Sequence, residues 1–313
     1  MAWLLWTAAP ARADPLPGYH DYAAMTARID AVAAAHPDIV SRFSIGRSYD
    51  GRELWAVKVS DNVAIDELEP EVLLVFGQHA REHITVEQGL YLLDQLTSGD
   101  PRVVDLVSRT EVWLVFNLNP DGSEYDWAGE RPRFWRKNRQ PPDGTDLNRN
   151  WGYHWGCCGI VSRRPRAEAY RGGRPFSAPE TRALRAFINS RRIAGVQQIK
   201  AAIDFHSAAE LVLWPFGYTR ADSAKDMTAA QHRRLARLGR RLARANGYTA
   251  EQSSDLYVAA GELPDWLWGR YRILAYTFEL GPRDDFYPAR FEDEVARNRE
   301  PVLLLLDAAT RLP

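Results

Sequence analysis

Two residues three positions apart, His79 and Glu82, offer an imidazole nitrogen and a carboxylate oxygen just after an apolar run that ends at Phe76. Donors of those two kinds can share one transition-metal ion, zinc above all. A lone His-x-x-Glu is common on protein surfaces, so the pair needs support. His83 extends it to His-x-x-Glu-His, a pattern in which both histidines can bind metal from one long helix with Glu82 as base. Gly77, two residues before His79, argues instead for a strand-to-helix loop and leaves His83 as a packing or wall residue. A third ligand must then come from elsewhere. His206, at the end of the apolar run 201–205, stands at another strand end and supplies it. Asp146, Asn148 and Arg149 place an acid, an amide and a guanidinium within four residues, in a region without helix or strand periodicity. Glu279 sits in the apolar stretch 275–280. An unpaired buried carboxylate costs several kcal/mol, so a glutamate there has a partner or a task unless alternation turns it to solvent.

The elements that must carry these groups alternate. Tyr22, Met25, Ile29 and Val32 recur at helical spacing and stop at His36-Pro37. Short apolar runs at 40–45, 54–59, 72–76 and 112–116 read as strands, with a helix over 85–96. Ser177-Ala-Pro-Glu180 reads as a helix cap opening a helix to about Arg191. A strand over 199–205, a helix over 227–245, a strand over 274–280 and a closing amphipathic helix over 288–309 complete the pattern. Strands and helices in alternation predict an α/β single domain, with a central mixed, mostly parallel sheet covered by helices on both faces. The loop-rich region 117–175 is too long for a plain connection, and such loops at strand ends tend to carry function.

Composition narrows the partners. Forty lysines and arginines against 41 acids leave a net charge of −1 in 313 residues. The total gives no electrostatic reason to expect nucleic acid or an anionic membrane as partner. The basic run 131–139 by itself reads as a solvated loop. No apolar run reaches the roughly 18 residues of a membrane helix. Residues 1–13, apolar and ending in Ala11-Arg-Ala13, read as a secretory leader or its remnant. Two adjacent cysteines, Cys157 and Cys158, form either a local bridge or two free thiols, and are too few for a structural zinc site.

Taken in order, His79-Ala-Arg81-Glu82, Asn119-Pro-Asp-Gly122, Trp135-Arg136-Lys137, Asp146-Leu-Asn148-Arg149, His206-Ser207 and Tyr257 through Phe278-Glu279-Leu280 resemble the M14 zinc carboxypeptidases. The likeness spans nearly all of the chain from Tyr19 onward. It implies one Zn2+ per chain held by His79, Glu82 and His206, with Asp146 orienting His79. By the same likeness Glu279 is the general base and Arg136 the stabiliser of the oxyanion. Arg149, helped by Asn148, grips the substrate's C-terminal carboxylate, Tyr257 closes over it, and Arg81 lines the outer cleft. Residues 14–313 would be the catalytic domain of a secreted, monomeric enzyme acting on peptides and proteins with a free C-terminus. Pro264 falls at the family's specificity position and suggests large apolar C-terminal residues. Glu262 could admit basic ones, or else face solvent or pair with an arginine. The Ala208-Ala209-Glu210 sequence after Ser207 departs from relatives with an aromatic there, which puts the upstream subsite in doubt. Competing readings are a related zinc hydrolase of cell-wall peptides or N-acylated amino acids, and an inactive binding homologue.

Overall fold

The computed structural model describes residues 16–129 and 131–312; the expected leader at residues 1–13 lies outside them. The helix α1 (Tyr22–Ala35) starts on Asp21, whose side chain accepts from the Ala24 N–H, and buries Met25, Ile29 and Val32. The strands β1 (Val40–Arg47), β2 (Glu53–Val59) and β3 (Glu71–Val75) follow, then α2 (Ile84–Leu96), α3 (Pro101–Val107), β4 (Glu111–Val115) and α4 (Pro120–Trp127). Beyond the long loop come α5 (Pro179–Ser190), the short hairpin β5 (Arg192–Ile193) and β6 (Val196–Gln197), β7 (Ile199–Ser207) and β8 (Leu211–Trp214). The last elements are α6 (Ala229–Asn246), β9 (Thr249–Gln252), α7 (Ser253–Leu256), α8 (Leu263–Tyr271), β10 (Leu274–Leu280), α9 (Phe291–Arg297) and α10 (Arg299–Ala309).

Eight strands form one mixed sheet in the order β1-β2-β4-β3-β7-β10-β8-β9. Its centre, β4-β3-β7-β10, is parallel, as is β8-β9, while β1-β2, β2-β4 and β10-β8 are antiparallel. Side chains alternate across the sheet with the two-residue period of a strand. On β3, Val72 and Leu74 pack into one core with α1, α2, α6 and α10, whereas Leu73 and Val75 pack into a second core with α5 and α8. Both faces are therefore covered, which is why the central strands read as continuous apolar runs.

Two expectations need correction. Ser177 does not cap α5; Ala178 stands at that position, and the Ser177 hydroxyl accepts from Asn150 Nδ2 at 2.9 Å. The span 288–309 is two helices, not one. Pro301 has no N–H to give Arg297, so a continuous helix would lose that bond. Between the helices Asn298 donates through Nδ2 to the Glu294 carbonyl at 3.0 Å and accepts from Asn246 at 2.9 Å.

Candidate metal centre and active-site cleft

The parallel centre delivers its functional groups at the C-terminal ends of the strands. Gly77 follows β3 at φ +68°, and a Cβ there would lie 2.7 Å from Asn117 Oδ1, so the turn out of the strand needs glycine. The turn carries His79 and Glu82 before α2 begins at Ile84, and the Glu82 N–H donates to the His79 carbonyl at 3.2 Å. On β7, period two sends Asp204 and His206 to the same face. Glu279 on β10 is in register with His206, on the face that Ala275 shares with α5 and α8.

His79 Nδ1 and His206 Nδ1 are 3.0 Å apart, and Glu82 lies 2.8 Å from the first through Oε1 and 2.9 Å from the second through Oε2. The outward Nε2 atoms face other carboxylates, His79 on Asp146 Oδ1 at 3.2 Å and His206 on Asp204 Oδ2 at 2.9 Å. Each outer carboxylate accepts an Nε2–H and so fixes the tautomer that turns a Nδ1 lone pair inward. Two lone pairs and a carboxylate then converge in a buried space, an arrangement that repels itself unless a cation joins it. One ligand atom from each of His79, Glu82 and His206 lies within 4.8 Å of the others, and the donor set fits zinc. By contrast, the acidic cluster Asp66, Glu71 and Glu111 already contains its cations: Lys58 Nζ is 2.7 Å from Glu111, and Arg191 is 2.7 Å from Glu71.

Asp146 ties the loop to the centre. It precedes the short 3-10 turn Leu147–Arg149, accepts the Asn148 N–H at 3.0 Å, and takes the Arg136 Nε–H on its other oxygen at 2.9 Å. Burial opposes its charge, but Arg136 and His79 keep the carboxyl strongly acidic. Glu279 is the opposite case: burial pushes its pKa up to about 7, only partly countered by His206.

The cleft above the centre has a volume of about 320 Å³ and is lined by Arg81, Arg136, Asn148, Tyr257, Glu262 and Glu279, among others. Arg81 stands at its rim, paired with Glu168 at 3.0 Å and 4.8 Å from the Phe286 ring. Asn148 Nδ2 is 3.3 Å from His206 Nε2, and its Oδ1 accepts the Leu263 N–H at 3.0 Å. Arg149 is buried behind Glu262: its Nη1 donates to Glu262 Oε1 at 3.2 Å and to the Asn148 carbonyl at 2.6 Å, and its Nε to the Ile160 carbonyl at 2.7 Å. The Tyr257 ring lies 5.7 Å from the Arg149 guanidinium. Pro264 is buried in the first turn of α8 and is not among the residues lining the cleft; Leu213, Ser253, Leu256 and Thr277 are. His83 turns away, its Nε2 2.9 Å from Asp126 and its ring edge-on to Trp127. Cys157 and Cys158 are bonded to each other. Sequence reasoning missed Asp204, although Asp-x-His on a buried strand puts both side chains on one face.

The sequence profile of the zinc carboxypeptidases matches residues 25–299. The chain belongs to the zinc carboxypeptidase family. It is 44% identical over 307 residues to a zinc carboxypeptidase of Saccharothrix mutabilis subsp. capreolus, covering 95% of this chain and 70% of that protein. A zinc carboxypeptidase of Simulium vittatum is 36% identical over 279 residues, 85% of this chain and 86% of that one. The fold superposes on bovine thrombin-activatable fibrinolysis inhibitor, solved with a tick carboxypeptidase inhibitor, with a TM-score of 0.81 at 27% identity over 93% of this chain and 97% of the other. The protein is thus a metallocarboxypeptidase, a hydrolase of the zinc type. No helix of the described residues is long and apolar enough to cross a membrane.

Proposed function

We propose that this metallocarboxypeptidase holds one zinc ion through His79, Glu82 and His206 and removes single residues from peptides with a free C-terminus. The convergence of two Nδ1 atoms and a carboxylate beside Glu279 carries the reading. Bound there, zinc would polarise the scissile carbonyl and lower the pKa of water to about 7. Glu279 takes the proton of the attacking water and hands it to the leaving amine nitrogen. Arg136, held by Asp146, donates to the carbonyl oxygen as charge develops on it. Arg149 and Asn148 receive the substrate carboxylate, and Tyr257 covers it.

Because Glu262 bonds Arg149 and also lines the cleft, it stands between that guanidinium and an incoming carboxylate. A pocket wall of Leu213, Leu256 and Thr277 beside the Glu262 carboxylate supports a broad preference: large apolar residues first, basic residues accepted through Glu262. Secretion and a monomeric state complete the proposal. Metal analysis and digestion of a peptide mixture test it: about one zinc per chain, single-residue trimming lost with chelator and restored by zinc, and little cleavage of C-terminally amidated peptides. Full activity without metal, or ready cutting of amidated peptides, would overturn it.

A further inference from the structure

The near-zero net charge conceals a strongly one-signed face. Helix α6 carries Arg233, Arg234, Arg237, Arg240, Arg241 and Arg244, all exposed, and no acid in its 18 residues. Among the described residues none of the six forms an ion pair with a carboxylate, whereas the exposed Arg28, Arg47, Arg102, Arg290 and Arg311 each do. Unpaired like charges on one helix repel one another, so the face is relieved by an anion rather than by its own neighbours.

Arg234, Arg237 and Arg241 edge a trough of about 440 Å³ between α6 and the end of α10. Its floor is aliphatic, made by Leu238, Leu274, Ala308 and Leu312, and its one further charged residue is Arg311, paired with Asp307 at 2.7 Å. An aliphatic floor gives bases nothing to stack on, whereas stacking on aromatic faces is what single-stranded nucleic acid requires. Guanidinium forks around an aliphatic trough fit a phosphate head with the start of an acyl chain. The apolar side of α6, including Leu235 and Leu242, is already buried in the core, so the helix cannot insert and contact would be peripheral.

We propose that this face docks the enzyme on membranes rich in anionic phospholipid. Leu274 begins β10 and Glu279 lies near its end, so the trough and the cleft sit at opposite ends of that strand. Docked this way, the cleft faces away from the lipid and stays open to soluble peptides.

The test is co-sedimentation of the full chain with phosphatidylglycerol vesicles, with phosphatidylcholine vesicles and single-stranded DNA as parallel arms. Wild type should bind phosphatidylglycerol vesicles only, and less as salt rises. The triple variant Arg234→Gln/Arg237→Gln/Arg241→Gln should bind roughly a hundredfold more weakly, at about 1 kcal/mol per arginine. Removing three exposed arginines elsewhere, Arg163→Gln/Arg164→Gln/Arg166→Gln, alters net charge equally and should change binding little. Peptidase activity in solution, retained by both variants, shows that they fold. Failure of wild type to sediment, equal losses in the two variants, or tighter binding to DNA than to the vesicles would each overturn the proposal.

Discussion

Glu279 shares its strand face with Ala275 and Thr277, and burial alone would keep it protonated near neutrality. A group so placed is costly as structure and useful as a base. Glu279→Gln keeps the shape and removes the proton acceptor; steady-state kinetics should show kcat down by at least about a hundredfold with zinc content unchanged. Near wild-type turnover would exclude Glu279 as the base. Glu262 makes a different kind of prediction, because it has two possible partners. Glu262→Ala should cut kcat/KM for substrates ending in Arg by about tenfold or more. Substrates ending in Phe should be cleaved as well as before or better, since Arg149 is freed. Equal losses on both would mean that Glu262 merely holds Arg149 in place.

At the scale of the element, β7 does the most with the fewest residues. Asp204 orients His206, and Gln78 Nε2 in turn donates to Asp204 at 2.6 Å. Asp204→Ala should weaken zinc binding about 10- to 100-fold, read by competition against a chromophoric chelator, while the fold is kept. Undiminished affinity would show that His206 needs no outer partner. The turn after β3 is equally exacting: Gly77→Ala places a Cβ against Asn117 in a left-handed backbone, and thermal unfolding should show a loss of roughly 1–3 kcal/mol. Strand ends and the candidate ligands His79, Glu82 and His206 stand out in the sequence because apolar runs mark the parallel centre and polar residues at their ends break the pattern. The closing helix pair was less so, since Asn298 interrupts it through side-chain bonds to Asn246, more than 50 residues away in sequence. Strand β8 (Leu211–Trp214) is four residues long and carried no periodicity to read. Nor could spacing place Arg149 behind Glu262, because their contact joins two loops 113 residues apart.

Across the whole molecule, stability should carry the mark of a buried acid remote from the reaction. Glu180 is buried with only neutral donors on it, Asn138 Nδ2 at 2.8 Å and the Tyr49 N–H at 3.1 Å. Burial pushes its pKa up to about 7, above the ordinary 4.5. The folded state then holds the proton more tightly than the unfolded chain. The stabilisation from this group is complete below about pH 4.5 and is lost as pH climbs through 7. Glu180→Gln does not titrate, so denaturant unfolding at pH 4.5 and pH 8 should show the variant gaining on wild type by roughly 1–3 kcal/mol. A difference independent of pH would place the ionised form of Glu180 comfortably in the fold.

The strand order has a temporal consequence. Strand β10, made last, lies between β7 and β8, which are made earlier. A growing chain cannot join those two through it until residue 280 has emerged, and Glu279 arrives only then. Long-range pairing of this kind is slow to form. A nascent enzyme therefore lacks its general base until nearly all of this chain has been made. In pulse-labelled refolding, the amides bonded between β10 and its two neighbours should gain protection later than those bonded between β3 and β7.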